Sequence, residues 1–167
     1  MKLAILFGAV TIALFFIINQ VAERYGPDVG KRFLERGPDY TAASLRAWVA
    51  SGENSLNARH YAMPVLFPLD LVFLLALGGF LACGSVVCAQ SIALLRNVTW
   101  LFAALPGLYV AADLLEDALL ARFLLNPENI TDGAVSFAQA ITAVKIKTAG
   151  LSIAQTALIA ATSLVLK

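Results

Sequence analysis

Long stretches without charged residues constrain the fold of this sequence more than any other feature. Residues 3–22, 71–95 and 148–166 contain no Asp, Glu, Lys or Arg, and the stretch 97–112 continues as a Leu- and Ala-rich run to Leu125. A helix that crosses a bilayer needs about 20 largely apolar residues. We therefore predict an all-α integral membrane protein, a four-helix bundle with spans near 3–22, 64–91, 97–124 and 137–166.

The composition excludes the other main classes of protein. Hydrophobic residues make up 60% of the chain and charged residues 14%, whereas soluble domains have about 25% charged residues. A disordered chain would have less apolar material and more net charge. The net charge is +1 and no basic run occurs, so we expect no nucleic-acid partner. The apolar runs lack the alternating period of a membrane β-barrel, and the predicted surroundings are a lipid bilayer.

The first apolar stretch also has features of a signal peptide, because Lys2 precedes an apolar run. The run is long, however, and residues 19–23 give only a weak cleavage site. We predict that this segment is retained as the first span. Cleavage would leave three spans.

The connection between the first two spans, residues 23–62, is long and has helical patterns of its own. Thr41 or Asp39 can cap a short helix, and a shorter helical piece is predicted near residues 29–36. We expect the connection to pack with protruding helix ends into a small helical cap, with a solvated linker as the alternative. The apolar residues of the short helix share one face: Leu45, Trp48 and Val49.

The charges outside the spans are divided unevenly between the two sides of the membrane. With four spans, both termini lie on one side, together with Lys2, Arg96 and Lys167 and no acid. The other side takes the remaining nine basic residues and all eleven acids. Counting only Lys and Arg places that second side in the cytoplasm. The first side has only short segments, and their charges are all positive, which favours the opposite orientation. We therefore predict cytoplasmic termini in a bacterial inner membrane.

Five ionisable residues of the last three spans are predicted to meet at one depth. Asp113, Glu116 and Asp117 are spaced i, i+3, i+4 and therefore share a helix face. Counting residues outward from the two hairpin turns brings Asp70 and Lys145 within about two helical turns of them. Lys145 also belongs to a polar stripe of the last span, which we expect to face other helices: Gln139, Thr142, Lys145, Thr148, Ser152 and Gln155.

Two interpretations of this charged cluster remain open. Ionisable residues in membrane spans usually face the bundle interior, so the carboxylates could form a buried site that binds a cation or carries protons, with Lys145 as counter-ion. Alternatively, the charges form an interfacial belt on helices that protrude beyond the bilayer. Asp113 distinguishes the two, since it lies deepest.

The remaining polar and aromatic residues are predicted to be interfacial. His60, Tyr61 and Trp100 are suited to the membrane–water boundary, and Lys147, about 200° from Lys145 around the helix, is expected to extend its ammonium towards water. One His and two Cys residues form no zinc or redox motif. We expect no metal and no cofactor.

The arrangement of charges resembles a family of small uncharacterised four-span bacterial membrane proteins. These carry Asp near the start of span two, an Asp-x-x-Glu-[Asp/Asn] motif in span three and Lys at the start of span four. The resemblance covers residues 40–166 and implies no activity. The matching residues are Asp70, Asp113, Glu116, Asp117 and either Lys145 or Lys147.

Three classes of function are compatible with these patterns. The preferred one is a non-enzymatic binding or assembly protein, with a protein partner or a second copy of the chain. The second is a proton- or cation-coupled transporter or channel component that uses Asp113, Glu116, Asp117 and Lys145. The third is a lipid-modifying enzyme in which these acids act as acid or base with help from His60 or Lys145.

Overall fold

The computed structural model describes residues 2–25 and 40–165, apart from the side chains of Tyr25 and Glu53. Within these ranges the chain is helical nearly throughout and contains no strand. The predicted all-α class is therefore confirmed. The helical piece expected near residues 29–36 lies outside the described residues.

Six α-helices and several short irregular segments make up the described chain. An irregular helical segment, Tyr61–Asp70, precedes the fourth helix, and 3₁₀ turns occupy Ala93–Leu95, Thr99–Ala103 and Pro127–Asn129. The helices are α1 (Lys2–Tyr25), α2 (Ala42–Ala50), α3 (Gly52–His60), α4 (Leu71–Gln90), α5 (Ala104–Leu125) and α6 (Asp132–Val165).

Three helical stretches of the described chain are long and apolar enough to cross a membrane. They are Lys2–Arg24, Asn54–Gln90 and Asp132–Val165, and they support the prediction of a membrane protein. The span expected at residues 97–124 is not among these three stretches. Its first residues form 3₁₀ turns, and α5 carries several acidic residues.

Prolines lie near the start of two of the long helices. The residue before a proline is disfavoured in the helical region, and Met63 and Phe67 accordingly have extended backbone angles. Regular helix therefore starts at Leu71, later than the predicted residue 64. The sequence predicts that Pro106 interrupts the third span and kinks it. The structure instead places Pro106 in the first turn of α5, where a proline is tolerated.

The four long helices pack against one another, with α4 in contact with α1, α5 and α6, and α5 also in contact with α6. Small residues bring them close together. A Cβ atom placed on Gly78 would clash with the Val110 side chain of α5, and one on Gly79 would lie 3.0 Å from Phe7 of α1.

The short helices α2 and α3 pack at one end of the long helices. Thr41 is the N-cap of α2, and its hydroxyl accepts a hydrogen bond from the Ser44 backbone N–H at 3.1 Å. Arg46 Nη2 donates to the Ile130 carbonyl at 2.5 Å, which ties α2 to the turn between α5 and α6. We call the buried residues gathered there the end cluster, which includes Leu45, Val49, Tyr61, Leu66, Leu120, Phe123, Ile130 and Val135.

Candidate functional site

A cavity of about 260 Å³ lies between α1, α4, α5, α6 and the irregular segment. One part of its wall is apolar and includes Phe15, Ile18 and Phe73. The cavity is also lined by the charged residues that the sequence predicted to meet. All five line this one cavity: Asp70, Asp113, Glu116, Asp117 and Lys145.

Helix α5 supplies three of the carboxylates from a single buried face. Asp113, Glu116 and Asp117 are 4%, 1% and 2% exposed, as the i, i+3, i+4 spacing predicts for residues that share a face. The outer face of the same helix is apolar, with Leu108 and Leu115 exposed. Helix α5 therefore has its polar side inward and its apolar side outward.

Lys145 of α6 is the cation that faces these carboxylates. Its Nζ atom lies 2.5 Å from Asp113 Oδ1 and 2.6 Å from Glu116 Oε2. Glu116 also accepts a hydrogen bond from the Thr142 hydroxyl. Lys145 therefore lies among the acids of α5, whereas Lys147 is exposed. One ammonium group thus pairs with two of the four carboxylates.

The aspartates form a compact group within the same cavity. One carboxylate oxygen from each of Asp70, Asp113 and Asp117 lies within 4.8 Å of the other two. Asp70 is half-buried at the end of the irregular segment. The Oδ2 atom of Asp117 is buried and has no hydrogen-bond partner among the described residues.

The polar stripe of α6 faces other elements along its whole length, as predicted. At one end, Gln139 donates to the Tyr40 carbonyl at 2.8 Å, and at the other Gln155 donates to the Phe102 carbonyl at 2.7 Å. Burial, with a smaller effect from the Glu116 charge, raises the pKa of Tyr40 to about 12.

The residues predicted to be interfacial have different surroundings. Trp100 is 69% exposed and Lys147 is exposed. Tyr61 is 2% exposed and lines the cavity, so its ring is covered by protein. His60 is half-buried at the end of α3 and is not one of the lining residues.

Sequence reasoning missed the contribution of α1 to the site. Asn19 lines the cavity together with Phe15 and Ile18. The only available signal was an amide residue near the end of an otherwise apolar stretch. Tyr109, one turn before Asp113 on α5, is also buried against the cavity and interacts with the Asp113 carboxylate.

Comparison of the chain with protein-family models, with curated proteins and with solved structures found no match.

Proposed function

We propose that this chain is a non-enzymatic membrane protein with four crossings, whose acidic cavity binds a small cation or the cationic group of a small ligand. The observation that carries the proposal is the excess of buried negative charge. Four carboxylates surround the cavity, and Lys145 is the only cationic residue that lines it in the described chain.

The inward polarity of α5 supports a fourth crossing. Its 22 residues are about 33 Å long, close to the thickness of the hydrocarbon core. The acidic residues that lower its apolar character are buried against other helices, and Leu108 and Leu115 point outward. Charged residues within spans usually face the bundle interior in this way. The number of acidic residues in α5 is therefore compatible with a crossing, because these residues face the protein and not the lipid.

The end cluster supports a helical cap over one end of the cavity. Tyr61, Leu66 and Leu120 belong to the end cluster and also line the cavity. Lys2 and Arg96 are exposed near the other end of the long helices. The proposal keeps both termini on the cytoplasmic side of a bacterial inner membrane, with the cap on the opposite side.

The electrostatic cost of the cluster explains why a cation should bind. Removing an ionised carboxylate from water costs several kcal/mol even after the protein relaxes. Lys145 offsets part of this cost for Asp113 and Glu116, with which it makes ion pairs. Asp70 and Asp117 add negative charge beside them, and a bound cation would neutralise it.

A proton- or cation-coupled transport role is the second candidate. The cavity is lined by residues of all five elements around it, including α1, so a shift of α1 would change access to the carboxylates. A lipid-modifying enzyme has less support, because His60 does not line the cavity with the acids. Ion flux into proteoliposomes, compared between the natural chain and Asp113→Asn, tests the transport role.

A thermal-unfolding screen tests the binding function. The purified protein in detergent is heated with divalent metal salts, monovalent salts and primary or quaternary amines, each at equal ionic strength. A ligand that binds only the folded state raises the unfolding midpoint. At least one class should stabilise the natural chain and fail to stabilise Asp113→Asn, while Glu128→Gln, which removes an exposed acid, should respond like the natural chain. Stabilisation by none of the classes would refute the proposal.

A further inference from the structure

The three aspartates of the cavity have the arrangement of a metal-binding site. We propose that Asp70, Asp113 and Asp117 bind one hard divalent cation of the Mg²⁺, Mn²⁺ or Ca²⁺ class. This inference rests on the proposed function, since it names the cation that the acidic cavity takes. It also departs from the sequence-based expectation of no metal.

The separation of the three oxygen atoms fits a single ion. Divalent Mg²⁺ and Ca²⁺ bind oxygen ligands at about 2.0–2.6 Å, so two ligands of one ion are separated by at most about 5 Å. One oxygen from each aspartate lies within 4.8 Å of the other two. Asp113 and Asp117 are one turn apart on α5, and Asp70 lies where the irregular segment meets α4.

The surroundings of the Asp117 side chain provide a second, independent observation in favour of a metal site. It is 2% exposed, and its Oδ2 atom has no hydrogen-bond partner in the described chain. Buried polar atoms in native proteins nearly always have a partner. The ammonium group of Lys145 contacts Asp113 and Glu116. Asp117 therefore presents a carboxylate oxygen to the cavity that a metal ion would satisfy.

The chemistry of the ligands selects the type of cation. Carboxylate oxygens suit Mg²⁺, Ca²⁺ and Mn²⁺, whereas zinc and copper sites favour imidazole and thiolate ligands. The cavity of about 260 Å³ also leaves room for the waters that Mg²⁺ retains. A monovalent ion or an ammonium group would neutralise less of the excess charge, so the surplus of carboxylates over Lys145 favours a divalent ion.

Binding of Mn²⁺ to the full-length protein in detergent tests the site. Free Mn²⁺ gives a strong electron paramagnetic resonance signal that is lost on binding, so titration yields both stoichiometry and affinity. We expect one Mn²⁺ per chain, displaced by Mg²⁺ or Ca²⁺ but not by Na⁺ or ethylammonium at equal ionic strength. Asp117→Asn should weaken binding by more than about tenfold, the scale found even for residues outside the ligand shell. Glu128→Gln should bind like the natural chain.

Asp70→Asn provides a second variant, because Asp70 is only half-buried and its replacement disturbs packing less. Thermal unfolding establishes that each variant is folded before its titration is compared. Failure of the folded natural chain to bind Mn²⁺ at millimolar concentration, or unchanged binding by both Asn variants, would overturn the inference. Stabilisation by an amine or a monovalent ion without Mn²⁺ binding would overturn it and leave the proposed function standing. If no cation stabilised the natural chain, both the divalent site and the proposed function would be refuted.

Discussion

Replacing Lys145 with Met removes a cation that pairs with two buried carboxylates. The Lys145 Nζ atom lies 2.5 Å from Asp113 and 2.6 Å from Glu116, and both acids are almost fully buried. Methionine retains most of the apolar stem, so the substitution removes charge with little loss of packing. The folded protein is then left with two buried carboxylates that have lost their cationic partner.

The expected loss of stability follows from this geometry. Removing one partner of a buried ion pair costs about 3–5 kcal/mol, because the other charge stays buried without a partner. Lys145 retains 27% exposure of its side chain, so we expect about 3 kcal/mol, at the lower end of that range. On the scale of domains of this length, that corresponds to a fall of about 6–12 °C in the unfolding midpoint.

Thermal unfolding in detergent measures this loss, and Lys147→Met is the matched control. Lys147 lies on the same helix two residues away and is exposed, so its replacement should change the midpoint little. Adding Glu116→Gln to Lys145→Met should recover part of the loss, with a coupling energy of about 1–3 kcal/mol. Equal midpoints for the two Met variants, or losses that simply add in the double variant, would refute the ion-pair reasoning.

Other predictions concern helix packing and the contacts of the two ends, and all are checked by the same unfolding assay. Gly78→Ala should cost about 1–3 kcal/mol, since its Cβ would clash with the Val110 side chain. Gly150→Ala, with open space around it, should be neutral or stabilise by up to about 1 kcal/mol. A similar loss for both would contradict the packing. Gln155→Leu should cost about 1 kcal/mol, the scale of hydrogen bonds between membrane helices, and no loss would argue against its 2.7 Å bond. Arg46→Met should cost about 1.5–3 kcal/mol and speed hydrogen exchange in the turn it contacts; unchanged exchange would contradict that contact.

The sequence predicted the long helices better than their beginnings. Runs without charge indicate where a helix fits in lipid, but they do not show where regular hydrogen bonding starts. Pro64 and Pro68 delay the start of α4 to Leu71, and α5 starts only two residues before Pro106. These shifts depend on local backbone sterics, which hydropathy does not include.

The charged cavity was predictable because helical spacing and hairpin depth are both regular. Spacing placed the α5 acids on one face, and residue counting from the turns brought Lys145 to their depth. Asn19 of α1 was not predictable in this way, because α1 is joined to the rest of the bundle by a long connection whose length fixes no depth. Tyr61 was predicted to be interfacial, and its place in the cavity wall was not predicted, because an aromatic residue next to a span fits both the membrane interface and a protein core.

The burial of Asp113 favours a polar site over an interfacial belt. In a belt, charged side chains reach the water at the membrane surface, and each would retain substantial exposure. Asp113 is instead 4% exposed and contacts Lys145 of a neighbouring helix, and Asp117, one turn further towards the cap, is 2% exposed. Because the residues nearer the cap are covered as completely as the deepest one, depth in the membrane does not explain their burial. Their burial is explained by packing of α4, α6 and the end cluster around them. Such packing is what a preorganised binding site requires.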